Sequence, residues 1–195
     1  MGVGVNTHVS STLTLTVLHL SDKLQKKSWA TRTDPNQHYL NRGRHTRTVY
    51  GCVGESLAKP VYMIAESTNK VDYIRFLHLV ARSVRSTTGV KPILVYDGHP
   101  AHRSRECLAV ANLYFRPLQQ CSYSCCFNSV EAVWGVAKKD YMKRLLLANY
   151  EISLARFLIL IDQSLQSISP AVHRGILRSN HDFVRKHLAL QAADE

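Results

Sequence analysis

A short apolar run that ends in an acid, Pro92 to Tyr96 followed by Asp97, constrains the fold of this chain more than any other feature. Such a run is typical of a strand covered on both faces, as in the parallel part of an α/β sheet. An acid at its end projects from the carboxyl edge of the sheet, where α/β folds place their functional sites. Asp97-Gly98 is also a favoured turn pair, so a purely structural turn is the alternative.

A second acid, Glu131, follows 34 residues after Asp97, in the first turn of a predicted helix. From Asn128 onward, apolar side chains recur at helical spacing, and Trp134 is expected to pack in the core beneath this helix. Asn128 with a glutamate three residues later also fits a capping box, which requires no catalysis. Two carboxylates on different rigid elements can instead share one or two Mg²⁺ ions. Lys138, two turns beyond Glu131, is placed to contact a phosphate, or it is simply a solvated lysine.

The remaining patterns predict an α/β fold with a helical C-terminal third. Strand patterns occur at 11–20, 47–53, 60–65, 92–96 and 111–115, and helical patterns at 69–86, 103–110, from 128 onward, 152–165 and 172–190. The second and third strands read as a hairpin. We divide the chain into an N-terminal segment, 1–21, with a candidate first strand, a core, 22–148, and a helical extension of the same domain, 149–195.

Charge is the strongest bulk signal. The chain has 25 Lys plus Arg against 14 Asp plus Glu, a net charge of +11. This excess favours nucleic acid as the partner, because each phosphate contact releases condensed counterions. Arg42, Arg44 and Arg47, at the end of a basic segment, are candidate nucleic-acid-binding residues, and a basic protein without any polyanion partner is the alternative.

Two classes of protein are not indicated. The longest aliphatic-aromatic run, Phe157 to Ile161, is too short to span a bilayer. The first eleven residues lack the pattern of a signal peptide. We therefore expect a soluble intracellular protein, nuclear in a eukaryote and cytoplasmic otherwise.

A rival metal site is a zinc site built from His99, His102, Cys121 and Cys125, since zinc accepts these ligands in a tetrahedral arrangement. The spacing is His-x2-His followed later by Cys-x3-Cys. The five cysteines form no regular framework, and reduced thiols are expected in an intracellular chain. This alternative predicts a zinc-stabilised interaction module.

The segments around the two acids resemble those of mariner-type transposases and related bacterial insertion-sequence transposases. Tyr96–Arg103, Tyr-Asp-Gly-His-Pro-Ala-His-Arg, resembles the Asp-Asn-x-x-x-His block of that family. Ser122–Trp134 resembles its Tyr-Ser-Pro-x-Leu-Asn-Pro-Ile-Glu-x-x-Trp block, and Lys138 falls at the trailing lysine. The likeness covers roughly Thr46 to Lys143.

The resemblance implies an RNase H-like fold, a mixed five-stranded sheet with helices on both sides, with 22–148 as the catalytic core. It implies metal-dependent cleavage and transfer of DNA strands at transposon ends, with three acids holding two Mg²⁺ or Mn²⁺ ions, and a homodimer as a candidate assembly. Asp97 matches the second acid and Glu131 the third. The first acid belongs on the opening strand, usually as Asp-Glu, and the candidate here is Asp22, which Lys23 follows. His102 and Lys138 join the candidate DNA contacts.

Departures from the family pattern leave two functions open. Gly98 and Ser129 stand where the family has asparagine and proline, and Lys23 stands where it has glutamate. Nothing before Asp22 is expected to encode the helix-turn-helix region with which family members recognise transposon ends. The first hypothesis is a DDE transposase catalytic domain, and the alternative is a catalytically inactive, transposon-derived DNA-binding remnant of the same fold.

Overall fold

The computed structural model describes residues 12–21, 45–84, 90–121, 127–148 and 152–193. Within these ranges the chain forms five strands and five α-helices, with a short 3₁₀ turn at Pro100–Arg103. The strands are β1 (Thr12–Ser21), β2 (Thr46–Gly54), β3 (Val61–Ala65), β4 (Ile93–Tyr96) and β5 (Arg116–Gln119). The helices are α1 (Lys70–Ser83), α2 (Arg105–Tyr114), α3 (Ser129–Leu147), α4 (Leu154–Gln166) and α5 (Pro170–Ala193).

The five strands form one mixed sheet in the order β3-β2-β1-β4-β5. β2 pairs antiparallel with both β1 and β3, so the predicted hairpin is confirmed. β4 pairs parallel with β1 and with β5. The carboxyl end of β4 therefore lies beside the middle of β1, in the centre of the sheet.

Helices cover both faces of the sheet, as predicted for the RNase H-like fold. On one face, Leu13 and Leu15 of β1 join a buried cluster with Phe76 and Leu77 of α1 and with residues of α2. On the other face, Leu18 and Leu20 belong to a cluster formed with α3, α4 and α5. The alternation of side chains along β1 thus supplies both layers, which explains why this strand is apolar on both sides.

Trp134 of α3 packs directly on the sheet. It is 3% exposed, which confirms its predicted place in the core. A Cβ atom built on Gly51 of β2 would lie 2.1 Å from the Trp134 Cη2 atom. Glycine at position 51 therefore lets the indole ring lie against the strand, and this close contact sets the distance between α3 and the sheet.

The predicted strand at 111–115 is wrong. Residues 111–114 form the end of α2, Phe115 is its C-cap, and the last strand, β5, begins at Arg116. Ala111 and Phe115 are both buried and lie four residues apart, so their apolar pattern follows the helical period. Pro117 is accommodated because β5 is an edge strand paired only with β4.

The predicted helical C-terminal third is confirmed by α4 and α5, whose buried side chains pack with α3. The Ser169-Pro170 break separates these two helices. In the described part of the chain, no helix has the length and apolar character needed to cross a membrane.

Candidate active site

Asp97 follows the last residue of β4, and its side chain is one-third exposed, at 32%. Its Oδ1 atom accepts hydrogen bonds from Nδ1 of His102 at 2.7 Å and from the backbone N–H of His99 at 3.1 Å. Its Oδ2 atom accepts a hydrogen bond from the Thr16 hydroxyl at 2.7 Å. Burial opposes ionisation, but these hydrogen bonds outweigh it and hold the pKa of Asp97 below its ordinary value. Asp97 is therefore a carboxylate at neutral pH.

His102 lies beneath Asp97 and is 1% exposed. The 3₁₀ turn that carries it begins at His99, whose Nδ1 atom accepts a hydrogen bond from the backbone N–H of Ala101. The His102 ring stacks on Tyr73 of α1, with ring centroids 4.1 Å apart. Packing and the hydrogen bond to Asp97 thus fix the ring, and the ring in turn orients the Asp97 carboxylate. The ring does not reach the surface, which the DNA contact predicted for His102 requires.

Thr16 is the residue of β1 that faces Asp97. The parallel register pairs Leu15 with Tyr96, which places Thr16 and Asp97 side by side. Thr16 is 4% exposed and contributes a neutral hydroxyl where the family pattern expects the first acid. Sequence reasoning missed this residue, because no local motif marks it.

The predicted first acid, Asp22, lies outside the described residues. Its neighbour Ser21 is the last residue of β1 and pairs with Thr46 of β2. Ser21 is five residues beyond Thr16, or about 17 Å along an extended strand. The described part of β1 therefore ends well beyond the residue that faces Asp97.

Hydrogen bonds connect the start of α3 to the end of β4, and these bonds position Glu131. Asn128 caps α3, since its side chain accepts a hydrogen bond from the backbone N–H of Val130 at 3.2 Å. The Asn128 amide also donates to the side chain of Gln120 at 3.3 Å. The backbone N–H of Gln120 in turn donates to the carbonyl of Tyr96 at 2.9 Å. This chain of hydrogen bonds positions the first turn of α3 at the edge where Asp97 lies.

Glu131, in the first turn of α3, is affected by Asp97 and by Lys138. Its side chain remains open to solvent, yet nearby protein atoms remove enough water to raise its pKa above the ordinary value. The charge of Lys138 opposes this rise, the charge of Asp97 adds to it, and the Thr16 hydroxyl opposes it. Asp97 and Glu131 are therefore near enough for their charges to interact, and their pKa values shift in opposite directions.

The other residues predicted to contact DNA differ in how exposed they are. Lys138 is exposed and lies close enough to Glu131 to affect its pKa. The Arg47 guanidinium is mostly covered, donates to the carbonyl of Thr46 at 2.7 Å and lies 3.9 Å from Glu66. Arg42 and Arg44 lie outside the described residues, so their role stays a prediction.

The alternative zinc site is not assembled by the part of the chain that the structure describes. Within those ranges, no group of three or more His, Cys, Asp or Glu side chains is arranged to hold a metal ion. Nδ1 of His102 is occupied by Asp97, and Nδ1 of His99 accepts from Ala101. Cys121 is exposed, and Cys125 lies outside the described residues.

Comparison with solved structures identifies the fold. The catalytic domain of Mos1 mariner transposase matches with a TM-score of 0.57 and 13% identity, over 87% of this chain and 76% of that one. The Mos1 mariner paired end complex with Mn matches with a TM-score of 0.55 and 16% identity, over 87% of this chain and 52% of that one. A chain of the simian T-cell lymphotropic virus intasome, in complex with PP2A regulatory subunit B56 gamma, matches with a TM-score of 0.55 and 15% identity, over 80% and 47%.

These matches define the class of fold. The chain has the RNase H-like core found in the mariner transposase catalytic domain. It spans about half the length of the intasome and paired-end-complex chains that it matches. No protein-family model matches the chain, and no curated protein matches its sequence.

The described donor set does not fit the two-ion site that this fold family implies. Asp97 and Glu131 are the hard oxygen donors that Mg²⁺ and Mn²⁺ prefer. The described residue that faces Asp97 on β1 is Thr16, which has a neutral hydroxyl instead of the third carboxylate that a two-ion site requires. Both Asp97 oxygens also accept hydrogen bonds already. These residues fit at most one divalent cation shared by Asp97 and Glu131.

Proposed function

We propose that this chain is a transposase-type RNase H-like core that binds DNA without metal-dependent cleavage. The observation that carries this proposal is the identity of Thr16, a neutral residue that donates to Asp97 from β1, the strand on which the family pattern expects the first acid. Two-metal phosphodiester chemistry requires carboxylates to hold both ions beside the scissile phosphate. The described site supplies two of the three.

Positive charge around the same edge supports binding to DNA. Lys138 is exposed on α3 near Glu131, Arg103 is exposed at the end of the turn that carries His102, and Arg105 is exposed at the start of α2. The chain as a whole has a net charge of +11. A basic surface of this kind binds the phosphate backbone by releasing counterions, and it requires no metal ion.

The test is DNA binding measured by fluorescence anisotropy in EDTA, with the observed binding constant followed against salt concentration. We expect the logarithm of the binding constant to fall linearly with the logarithm of the salt concentration. The magnitude of this slope should decrease by about 0.9 when Lys138→Ala removes one phosphate contact. Lys59→Ala is the matched control, because Lys59 is exposed in the β2–β3 turn at the opposite edge of the sheet. Equal slopes for the wild type and Lys138→Ala would show that Lys138 contacts no phosphate, and absence of salt-sensitive binding would refute the proposal.

Metal-dependent strand cleavage is a second candidate function, favoured by the convergence of Asp97 and Glu131. It requires a third acid from outside the described residues, for which Asp22 is the predicted source. Nicking of supercoiled plasmid in Mg²⁺ or Mn²⁺, compared with Asp97→Asn and Glu131→Gln, separates the two candidates. Cleavage that both substitutions abolish would establish the enzyme, whereas no cleavage at any metal concentration supports binding alone. Cleavage that survives both would exclude these acids as ligands.

The DNA target and the assembly are separate proposals. Neighbours of the same fold are named as a paired end complex and a strand transfer complex. By analogy we propose transposon-end DNA as the target and a homodimer as the bound assembly. Light scattering of the chain with and without an end-sequence duplex tests this, and a single copy per duplex would contradict the dimer.

A further inference from the structure

We infer that Thr16 closes this site to divalent cations, and that Thr16→Asp alone converts the site into one that binds Mg²⁺ or Mn²⁺. The inference rests on the incomplete site of the proposed function. It goes further by assigning the defect to one residue and by predicting that the rest of the site is intact.

The first step is the place of Thr16 in the sheet. β1 and β4 are parallel neighbours, and their register brings residue 16 beside residue 97. The Thr16 Oγ1 atom lies 2.7 Å from Oδ2 of Asp97. A side-chain oxygen at position 16 is therefore already close to the Asp97 carboxylate. An aspartate at this position brings its oxygens into the same space.

The second step is the direction of the hydrogen bond. Asp97 is ionised, so the Thr16 hydroxyl donates its proton to Oδ2. His102 and the His99 backbone N–H both donate to Oδ1. Three protein donors thus take three of the roughly four acceptor sites of the carboxylate and compete with a cation for Oδ2. Removing the Thr16 donor frees Oδ2, while His102 still orients the carboxylate through Oδ1.

The third step is the electrostatics of the variant. Thr16→Asp places a further carboxylate beside Asp97, whose charge already acts on Glu131, and like charges this close disfavour one another. Without a divalent cation the variant is therefore expected to melt below the wild type. A cation that binds only the folded state restores stability by mass action. Neutral Thr16→Asn has nearly the same size and lacks the added charge, which makes it the matched control.

The experiment is titration calorimetry with Mn²⁺ on DNA-free protein, with thermal melting in Mg²⁺ and in EDTA as a second readout. We expect Thr16→Asp to bind Mn²⁺ at least tenfold more tightly than either the wild type or Thr16→Asn, and to gain melting temperature in Mg²⁺. The gain should disappear in the double variant Thr16→Asp, Asp97→Asn. Folded Thr16→Asp that binds Mn²⁺ no better than Thr16→Asn overturns the inference.

A second variant keeps the inference testable if Thr16→Asp does not fold. Thr16→Val removes the hydroxyl at nearly constant shape. A hydrogen bond to a charged group contributes about 1.5–3 kcal/mol, so we expect the folding constant of the wild type to fall about tenfold or more. In an Asp97→Ala background the same substitution should have much less effect. Equal losses in both backgrounds would show that the hydroxyl does not act on Asp97. Since DNA binding is measured in EDTA and cation binding without DNA, failure of either proposal leaves the other result readable.

Discussion

Gly51→Ala tests the contact that sets the distance between α3 and the sheet. The added Cβ atom would lie 2.1 Å from Cη2 and 2.3 Å from Cζ2 of Trp134. Carbon atoms pack at about 3.5 Å, so the two groups must separate by roughly 1.4 Å. Gly51 lies on a strand that is paired on both sides, and the indole ring is almost completely buried. Neither group can move without disturbing its neighbours.

The sign of the stability change distinguishes a steric clash at position 51 from a site that accommodates alanine. Without a clash, replacing glycine by alanine stabilises a compatible site by about 0.4–1 kcal/mol, because the unfolded chain loses freedom. Inserting a carbon into a packed core costs about 1–3 kcal/mol. The overlap at Trp134 is large, so we expect Gly51→Ala to lower the free energy of unfolding by about 1–3 kcal/mol. The displaced helix carries Glu131, so the same change should alter the site.

The assay is urea unfolding of Gly51→Ala, Trp134→Phe and the double variant. Phenylalanine lacks the second ring of tryptophan, so the alanine should cost much less in that background. We expect a coupling of about 1 kcal/mol or more between the two substitutions, as for residues in direct contact. A stabilising Gly51→Ala, or strictly additive effects, would refute the reasoning.

Three further predictions concern stability. Asn128→Ala removes the cap that bonds the backbone N–H of Val130 and should cost about 1 kcal/mol by urea unfolding; an unchanged midpoint would contradict the cap. Tyr62→Phe removes the hydrogen bond to Oδ1 of Asp162 at 2.9 Å, with an expected cost of about 0.5–1.5 kcal/mol and the same m-value. Burial lowers the pKa of His173 below its ordinary 6.5, so below that pH the unfolded state binds the proton more readily. Stability should therefore fall from pH ~7.5 to ~5.5, and His173→Leu should reduce that slope; an unchanged slope would refute the assignment.

Much of the local structure was predictable. Helical spacing from Asn128 predicted α3, its cap and the buried Trp134, and the apolar run before Asp97 predicted β4. The segment at 111–115 was misassigned because a short apolar run does not distinguish the end of a helix from a strand. Only its packing, with Ala111 and Phe115 buried on one helical face, made that distinction.

The candidate site was predictable only in part. Asp97 and Glu131 follow recognisable local patterns, and the structure places Asp97 after β4 and Glu131 in the first turn of α3. The role of His102 changed because burial is a property of the folded chain, and position 102 lies beneath the acid that it bonds. Tyr73 and Gln120, which support His102 and Asn128, carry no local signal at all.

By itself, the amino-acid sequence determined most of the elements, the cap of α3 and the two candidate acids, because periodicity and capping depend on residues within a few positions of one another. Which residue of β1 faces Asp97 was decided only by the tertiary structure. Thr16 is 81 positions away from Asp97, and the parallel register that pairs them depends on how both faces of the sheet are buried at once. A shift of one residue would bury the opposite set of side chains, and no local pattern encodes that choice.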